Sequence, residues 1–122
     1  MADQSLKEFV IDQLRSMPDL RARPMFGGYG FYQADFFFGI LIQGRLYFKT
    51  DDKTRNAYAE RGMKPFVYEK AKRIMTMTYF EVPSDVLEDS QTLVAWARLA
   101  VGVAASTPRK GRKTSASRRS GR

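Results

Sequence analysis

The sequence predicts an α+β domain in which helices pack on an antiparallel sheet. Three observations support this class. Apolar residues recur at helical spacing near residues 5–17 and 89–104, residues 23–52 form an aromatic and glycine-rich β-meander, and residues 64–82 contain a second pair of β-rich segments. The chain has 122 residues, enough for one hydrophobic core and too few for two.

The first helix is predicted to begin at a capping box. Ser5 and Glu8 have the spacing at which a serine caps a helix while a glutamate reaches back to the cap. Apolar residues then follow at helical spacing, and Pro18 ends the run. These residues are Leu6, Phe9, Val10, Leu14 and Met17.

The meander is predicted to contain three strands. The first covers Arg21 to Phe26 and continues through Tyr29 to Tyr32, with a bulge or sharp bend at Gly27-Gly28, because glycine adopts positive φ without steric penalty. Turns are expected at Gln33 to Asp35 and at Gln43-Gly44.

The middle strand, Phe36 to Ile42, is apolar on both faces. Phe36, Phe38, Ile40 and Ile42 alternate with Phe37, Gly39 and Leu41. A strand of an antiparallel sheet that is apolar on both sides needs cover on both sides, and helices can cover only one. We therefore expect a homodimer whose interface contains Phe37 and Leu41.

The second half completes the order αβββαββα. Arg45 to Lys49 is the third strand, and Asp51 or Asp52 is expected to cap a short helix that ends at Gly62. Residues 64–68 and 74–82 form a hairpin around a basic turn at 70–73. Asp89 then opens a last helix. Its predicted core face consists of Leu93, Trp96, Ala97, Ala100 and Ala104.

Almost all of the net charge of +8 belongs to the last seventeen residues. This segment carries seven basic side chains and no acid, so residues 1–105 have a net charge of only +1. Its composition cannot support a packed core, so we predict a folded domain at 1–105 and a disordered basic tail at 106–122. The basic residues are Arg109, Lys110, Arg112, Lys113, Arg118, Arg119 and Arg122.

Composition argues against several kinds of chemistry. The chain has neither cysteine nor histidine, and so lacks the usual ligands of zinc and the commonest general base. Acidic residues such as Asp51 and Asp89 stand at predicted helix starts, where a carboxylate is expected as a cap. We predict no enzymatic activity, no cofactor and no metal. No secretory signal or membrane span is evident, and a cytoplasmic location is expected.

Five motifs in order resemble the N-terminal domain of the TfoX/Sxy family. They are Met25 to Gly30, Gly44 to Lys49, Pro65 to Tyr68, Met77 to Pro83 and Leu93 to Ala97. The resemblance spans residues 5–105. It implies the αβββαββα topology of the type III secretion-chaperone-like class, a role as regulator of competence-specific genes, and no catalytic residue. Full-length members carry a second, helical domain, whereas a basic segment follows here.

Two motifs have alternative interpretations. Gly27, Gly28 and Gly30 could cradle a phosphate, but such loops join a strand to a helix, and here the glycines lie between strands, so a structural role is favoured. The aromatic set could form a base-stacking platform, because Arg45 and Lys49 share a face with Tyr47; core packing and a dimer interface are favoured. The set comprises Phe26, Tyr29, Phe31, Tyr32, Phe36, Phe37, Phe38, Tyr47 and Phe48.

The resulting hypothesis is a regulatory module that acts by protein contact. Its basic tail would attach it to DNA or RNA without sequence preference. Two alternatives remain open: a protein-interaction adaptor in which the tail is incidental or binds an acidic protein, and a domain that binds a small molecule between the sheet and the helices.

Overall fold

The computed structural model describes residues 2–25, 27–70 and 73–106. Six antiparallel strands form one sheet in the order β1-β2-β3-β4-β6-β5, which confirms the α+β class. The elements are α1 (Ala2–Gln13), β1 (Leu20–Met25), β2 (Gly28–Gln33), β3 (Phe36–Ile42), β4 (Arg45–Lys49), α2 (Arg55–Ala59), β5 (Pro65–Lys70), β6 (Arg73–Glu81), α3 (Ser84–Leu87) and α4 (Ser90–Ser106).

The segment predicted as one bent strand forms two strands. β1 and β2 pair in a hairpin whose register runs from Leu20 opposite Gln33 to Met25 opposite Gly28. Gly27 has a φ of +81° and turns the chain. The sheet therefore has six strands where five were expected, because the glycines provide a complete reversal of direction and not a bulge.

The other predicted turns of the meander are confirmed. Ala34 and Asp35 separate β2 from β3, and Gln43 and Gly44 separate β3 from β4. Both residues of the second turn have positive φ, +53° and +77°. Such a two-residue turn matches the right-handed twist of the strands that it joins.

Helix α1 begins at Ala2 and not at the predicted capping box. Ser5 and Glu8 lie within the helix and are exposed. Asp3, in its first turn, instead accepts hydrogen bonds from the turn between β3 and β4: Gly44 N–H donates to Oδ1 at 2.7 Å and Gln43 N–H to Oδ2 at 3.1 Å. The start of the chain is thus fixed to the sheet by a long-range contact that local spacing does not reveal.

α2 is shorter than predicted: Thr54 and Glu60 are its capping residues, and Asp51 and Gly62 lie in the turns on either side. The carboxylate of Asp51 accepts hydrogen bonds from the backbone N–H groups of Lys53 and Thr54, at 3.0 and 2.9 Å. At the other end Gly62 has a φ of +79°, and the N–H of Met63 donates to the carbonyl of Tyr58. A glycine with positive φ thus ends the turn that follows α2, beyond the last helical residue, Ala59.

The C-terminal helical region contains one more element than expected. Residues 84–87 form the short helix α3 before α4 begins at Ser90. Asp89 precedes α4 as predicted, and its carboxylate accepts a hydrogen bond from the hydroxyl of Thr92. Among the described residues, no helix is long and apolar enough to cross a membrane.

The main hydrophobic core lies between the sheet and the helices. α1 contributes Val10, α3 contributes Val86, and α4 contributes Leu93 and Ala97, all at most 1% exposed. The sheet supplies a set of large side chains to the same core, and Tyr58 of α2 joins them. The sheet residues are Phe31, Phe38, Leu41, Leu46 and Phe48.

Trp96 joins α2 to α4 at the edge of this core. Its ring lies edge-on to that of Tyr58 with centroids 4.7 Å apart, and the guanidinium of Arg61 lies 5.5 Å from its centroid. Burial raises the pKa of Tyr58 above its ordinary value, so its phenol is neutral at physiological pH. Tyr58 therefore acts as part of the core.

Candidate functional site: the outer face of the sheet

The sheet face opposite the helices carries a second side-chain cluster, which we call the outer face. Strand alternation places Arg21, Arg23 and Met25 of β1 on it, together with Gly30 and Tyr32 of β2. β3, β4 and β6 add side chains at facing positions of the register. These are Phe37, Ile40 and Ile42 of β3, Arg45, Tyr47 and Lys49 of β4, and Tyr79 and Glu81 of β6.

An irregularity between β2 and β3 corrects the predicted face assignment. Phe31 lies opposite Gly39, whereas Tyr32 lies opposite Phe37, so one extra residue is inserted in β3 at Phe38. Phe38 and Leu41 consequently both point into the main core, and Phe37, Ile40 and Ile42 point to the outer face. The expectation that Phe37 and Leu41 share a face is wrong.

Leu41 is fully buried beneath the helices and presents no surface for an interface. Phe37 is half-buried on the outer face. Of the two residues predicted to form a dimer interface, only Phe37 is placed where a partner could reach it. A homodimer remains a prediction that now involves Phe37 without Leu41.

Aromatic rings form a connected layer over the outer face. The rings of Tyr32 and Phe37 are stacked, with centroids 5.0 Å apart and planes inclined by 26°. Phe37 also contacts Tyr79, at 5.7 Å, and the ring of Tyr47 lies 5.0 Å from that of Phe66 in β5. Tyr79, Phe66 and Ile40 are buried beneath this layer. The more accessible rings are therefore Tyr32, Phe37 and Tyr47.

Basic side chains lie against these rings from both sides. The guanidinium of Arg23, on β1, lies 6.0 Å from the centroid of Tyr32, and the ammonium of Lys49, on β4, lies 5.1 Å from that of Tyr79. These distances allow cation–π attraction. Arg45 pairs instead with the carboxylate of Glu81, at 3.1 Å.

Partial burial alters the ionisation of the outer face. It lowers the pKa of Lys49 below the ordinary lysine value, since a desolvated ammonium is less favourable than a neutral amine. It raises the pKa of Tyr79 and of Tyr47, and Glu81 adds to the effect on Tyr47, which Arg45 partly offsets. Both tyrosines are therefore neutral phenols at physiological pH, and the face offers uncharged rings beside cations.

The acidic residues occupy structural positions. A hydrogen bond from the backbone N–H of Thr54 lowers the pKa of Asp51, and one from the N–H of Lys53 lowers it to a smaller extent. A hydrogen bond from Arg61 at 2.7 Å lowers the pKa of Asp85. Within the described part of the chain, no three acidic side chains are grouped closely enough to hold a metal ion.

The glycine-rich turn has a structural explanation, as predicted. A β-carbon on Gly28 would lie 2.1 Å from the carbonyl oxygen of Leu41, so β2 and β3 can approach only with glycine here. A cavity of about 610 Å³ adjoins the turn, lined in part by Gly27, Gly28 and Asp3. The carboxylate of Asp3 already occupies the N–H groups of the neighbouring β3–β4 turn and opposes an anion there.

The sequence indicated only part of the outer face. It placed Arg45, Tyr47 and Lys49 together, and the structure agrees. It did not place Arg21 and Arg23 there, although their spacing of two is a signal once the reversal at Gly27 is recognised. The seven basic residues predicted to bind nucleic acid, from Arg109 to Arg122, lie outside the described residues.

The fold and this face define a class of protein: a single α+β domain with helices on one side of an antiparallel sheet and an aromatic, basic surface on the other. The chain belongs to the TfoX N-terminal domain family, whose profile matches residues 12–104. It is also similar to the DNA transformation protein TfoX1 of Aliivibrio fischeri, with 30% identity over 77 residues. That alignment covers 63% of this chain and 37% of the relative.

Proposed function

We propose that this chain is a non-enzymatic regulatory module, associated with the control of competence genes, that acts by binding in the cytoplasm. It contacts a protein partner through its folded domain and attaches to DNA or RNA through residues 106–122. Membership of the TfoX N-terminal domain family and the similarity to a DNA transformation protein support this role. The structural roles of Asp51 and Asp85 support a non-catalytic domain.

The uneven distribution of charge along the chain is the main support for attachment to nucleic acid. Seven of the eight net positive charges belong to residues 106–122, which contain no acid, while residues 1–105 are nearly neutral. A concentrated run of cations gains affinity for a phosphate backbone by releasing counterions, whatever the base sequence. Binding should therefore be sequence-independent, weak at physiological salt and steeply salt-dependent.

A salt titration with duplex DNA tests this attachment. If all seven cations neutralised a phosphate, log affinity would fall against log salt with a slope of about 6, which is an upper limit for a chain that does not place every charge. In a full-length variant with glutamine at all seven positions, we expect most duplex affinity and most of the slope to disappear. The melting temperature should stay unchanged, since the main core is built from residues before 105. Unchanged duplex affinity in this variant would contradict the proposal.

A pull-down from lysate with parallel nuclease treatment separates the two kinds of partner. Proteins that remain bound after nuclease contact the folded domain or the basic segment directly. Proteins lost on treatment were retained through nucleic acid. Retention of no protein after nuclease would contradict the protein-contact part of the proposal and leave the attachment part to the salt titration.

A further inference from the structure

The outer face combines two features that together select a ligand. Tyr32, Phe37 and Tyr47 are partly accessible rings in its centre. Basic side chains flank them on β1 and on β4. Three strand spacings of about 4.8 Å separate β1 from β4, so the strand of Arg21 and Arg23 lies about 14 Å from that of Lys49. Tyr32 and Phe37 are on the two strands between them, and Tyr47 is on β4 itself.

Three cations of this face have no acidic partner among the described residues. Among the described residues, Arg21 donates only to the carbonyl oxygen of Ala34, Arg23 only faces Tyr32, and Lys49 only faces Tyr79. None of the three pairs with an acid among the residues described. Glu81, which the described residues place on this face, is already paired with Arg45. Within the described part of the chain, the face thus offers three positive charges that no acidic side chain neutralises.

A ligand that matches this surface has repeated negative charges and exposed flat rings. Single-stranded nucleic acid has both, because its bases are free to stack on aromatic side chains while its phosphates contact basic ones. Duplex DNA does not match, because its bases are stacked on one another and only their edges are accessible.

We propose that the outer face binds single-stranded nucleic acid, with bases packed against the accessible surfaces of Tyr32, Phe37 and Tyr47 and phosphates contacted by Arg21, Arg23 and Lys49. Strands of a sheet that present two or three aromatic side chains to bases are an established solution to this recognition problem.

A second copy of the chain matches the same face less well. In a two-fold dimer the same patch meets itself, so the unpaired cations of Arg21, Arg23 and Lys49 would be brought towards their own copies. The large apolar side chains that are most exposed in the described chain, Phe9, Ile11 and Leu99, belong to α1 and α4 and not to this face. Charge and accessible chemistry therefore favour an anionic ligand over self-association.

This inference does not depend on the basic segment. Residues 106–122 are proposed to bind duplex and single strands alike, whereas the outer face should prefer single strands. The two proposals can therefore fail separately. The ratio of single-strand to duplex affinity tests the outer face, and the absolute duplex affinity tests residues 106–122.

Binding of the full chain to oligothymidylate and to a duplex of equal length tests the inference. Wild type should prefer the single strand. Tyr32→Leu, which keeps an apolar side chain but removes the ring, should weaken single-strand binding about tenfold or more and leave duplex binding nearly unchanged. Arg21→Gln combined with Arg23→Gln should lower the single-strand salt slope by about 1.4.

The matched control removes two charges from the helix side. Arg15 and Arg98 are both exposed there, so Arg15→Gln combined with Arg98→Gln changes the net charge equally and should not alter the affinity ratio. If Tyr32→Leu does not fold, the double variant Arg21→Gln with Arg23→Gln still tests the inference, because both arginines are exposed and outside the core. Circular dichroism establishes which variants are folded.

Three results would overturn the inference. In the first, both outer-face variants bind the single strand as wild type does. In the second, the outer-face and control arginine pairs weaken binding equally. In the third, Tyr32→Leu changes the sedimentation of the protein and not its single-strand affinity, in which case the face is a surface for self-association. If duplex binding is lost in the seven-glutamine variant and in no other, the attachment proposal is supported. The inference about the outer face is then decided by the ratio of single-strand to duplex affinity.

Discussion

Gly28 lies directly against the backbone of Leu41, at a point where a β-carbon would be 2.1 Å from the Leu41 carbonyl oxygen. Because this obstacle is backbone and not a flexible side chain, Gly28→Ala must separate β2 from β3. We expect a loss of about 1 to 3 kcal/mol in the free energy of unfolding, measured by urea denaturation. An unchanged unfolding midpoint would show that the two strands are less closely apposed.

Gly27 and Gly102 are the comparisons for that substitution. A β-carbon at either position would meet no atom within 4 Å. Gly27 has a positive φ, so Gly27→Ala should cost about 1 to 2 kcal/mol through the backbone alone. Gly102 is exposed inside α4, so Gly102→Ala should stabilise the protein by about 0.5 to 1 kcal/mol. If all three substitutions changed the free energy of unfolding equally, the close approach of Gly28 to Leu41 would not explain the loss of stability in Gly28→Ala.

The contact of Asp3 with the β3–β4 turn should be measurable. Asp3→Ala leaves the N–H groups of Gln43 and Gly44 without their acceptor, and we expect a loss of about 1 kcal/mol together with faster hydrogen exchange at these two amides. Asp12→Ala is the control, because Asp12 belongs to the same helix as Asp3 and forms an exposed ion pair with Arg15, so its loss should be nearly neutral. Unaltered exchange at Gln43 and Gly44 in Asp3→Ala would contradict the contact.

Acid should weaken the protein partly through Asp85. Arg61 holds the pKa of Asp85 below its ordinary value, so the pair adds stability above that ordinary value and loses it as the pH falls through the lowered one. Asp85→Asn should therefore be less stable than wild type at neutral pH. The difference should vanish in acid below the lowered pKa. Trp96, which lies beside Arg61, provides a fluorescence signal for the unfolding curves. A difference that persists in acid would assign the effect to something other than the charge on Asp85.

Local turn chemistry made much of the fold predictable. The turn at Gln43-Gly44 follows from Gly44, which accepts positive φ, and the turn before β3 follows from Asp35, a residue type common in turns. Asp51 and Gly62 lie in the turns before and after α2. The reversal at Gly27 was missed because a glycine pair is compatible with both a bulge and a turn. The start of α1 was missed because Asp3 is used by a turn about forty residues away.

The candidate site was less predictable, because it depends on register. One inserted residue at Phe38 moves Phe37 and Leu41 to opposite faces, and strict alternation cannot anticipate this. The aromatic set accordingly divides: Phe31, Phe38 and Phe48 enter the core, while Tyr32, Phe37 and Tyr47 line the outer face. Phe66 and Tyr79 join that face through β5 and β6, whose pairing with the meander is long-range.

Amide chemical-shift mapping of the full chain during titration with oligothymidylate tests most directly whether the outer face is a binding surface. We predict that the residues shifting together with one binding curve will be on β1 to β4, including Arg23, Tyr32, Phe37, Tyr47 and Lys49. The amides of α4 should move little, because this helix lies on the opposite side of the sheet. Shifts confined to residues 107–122, or centred on α1 and α4, would contradict the account.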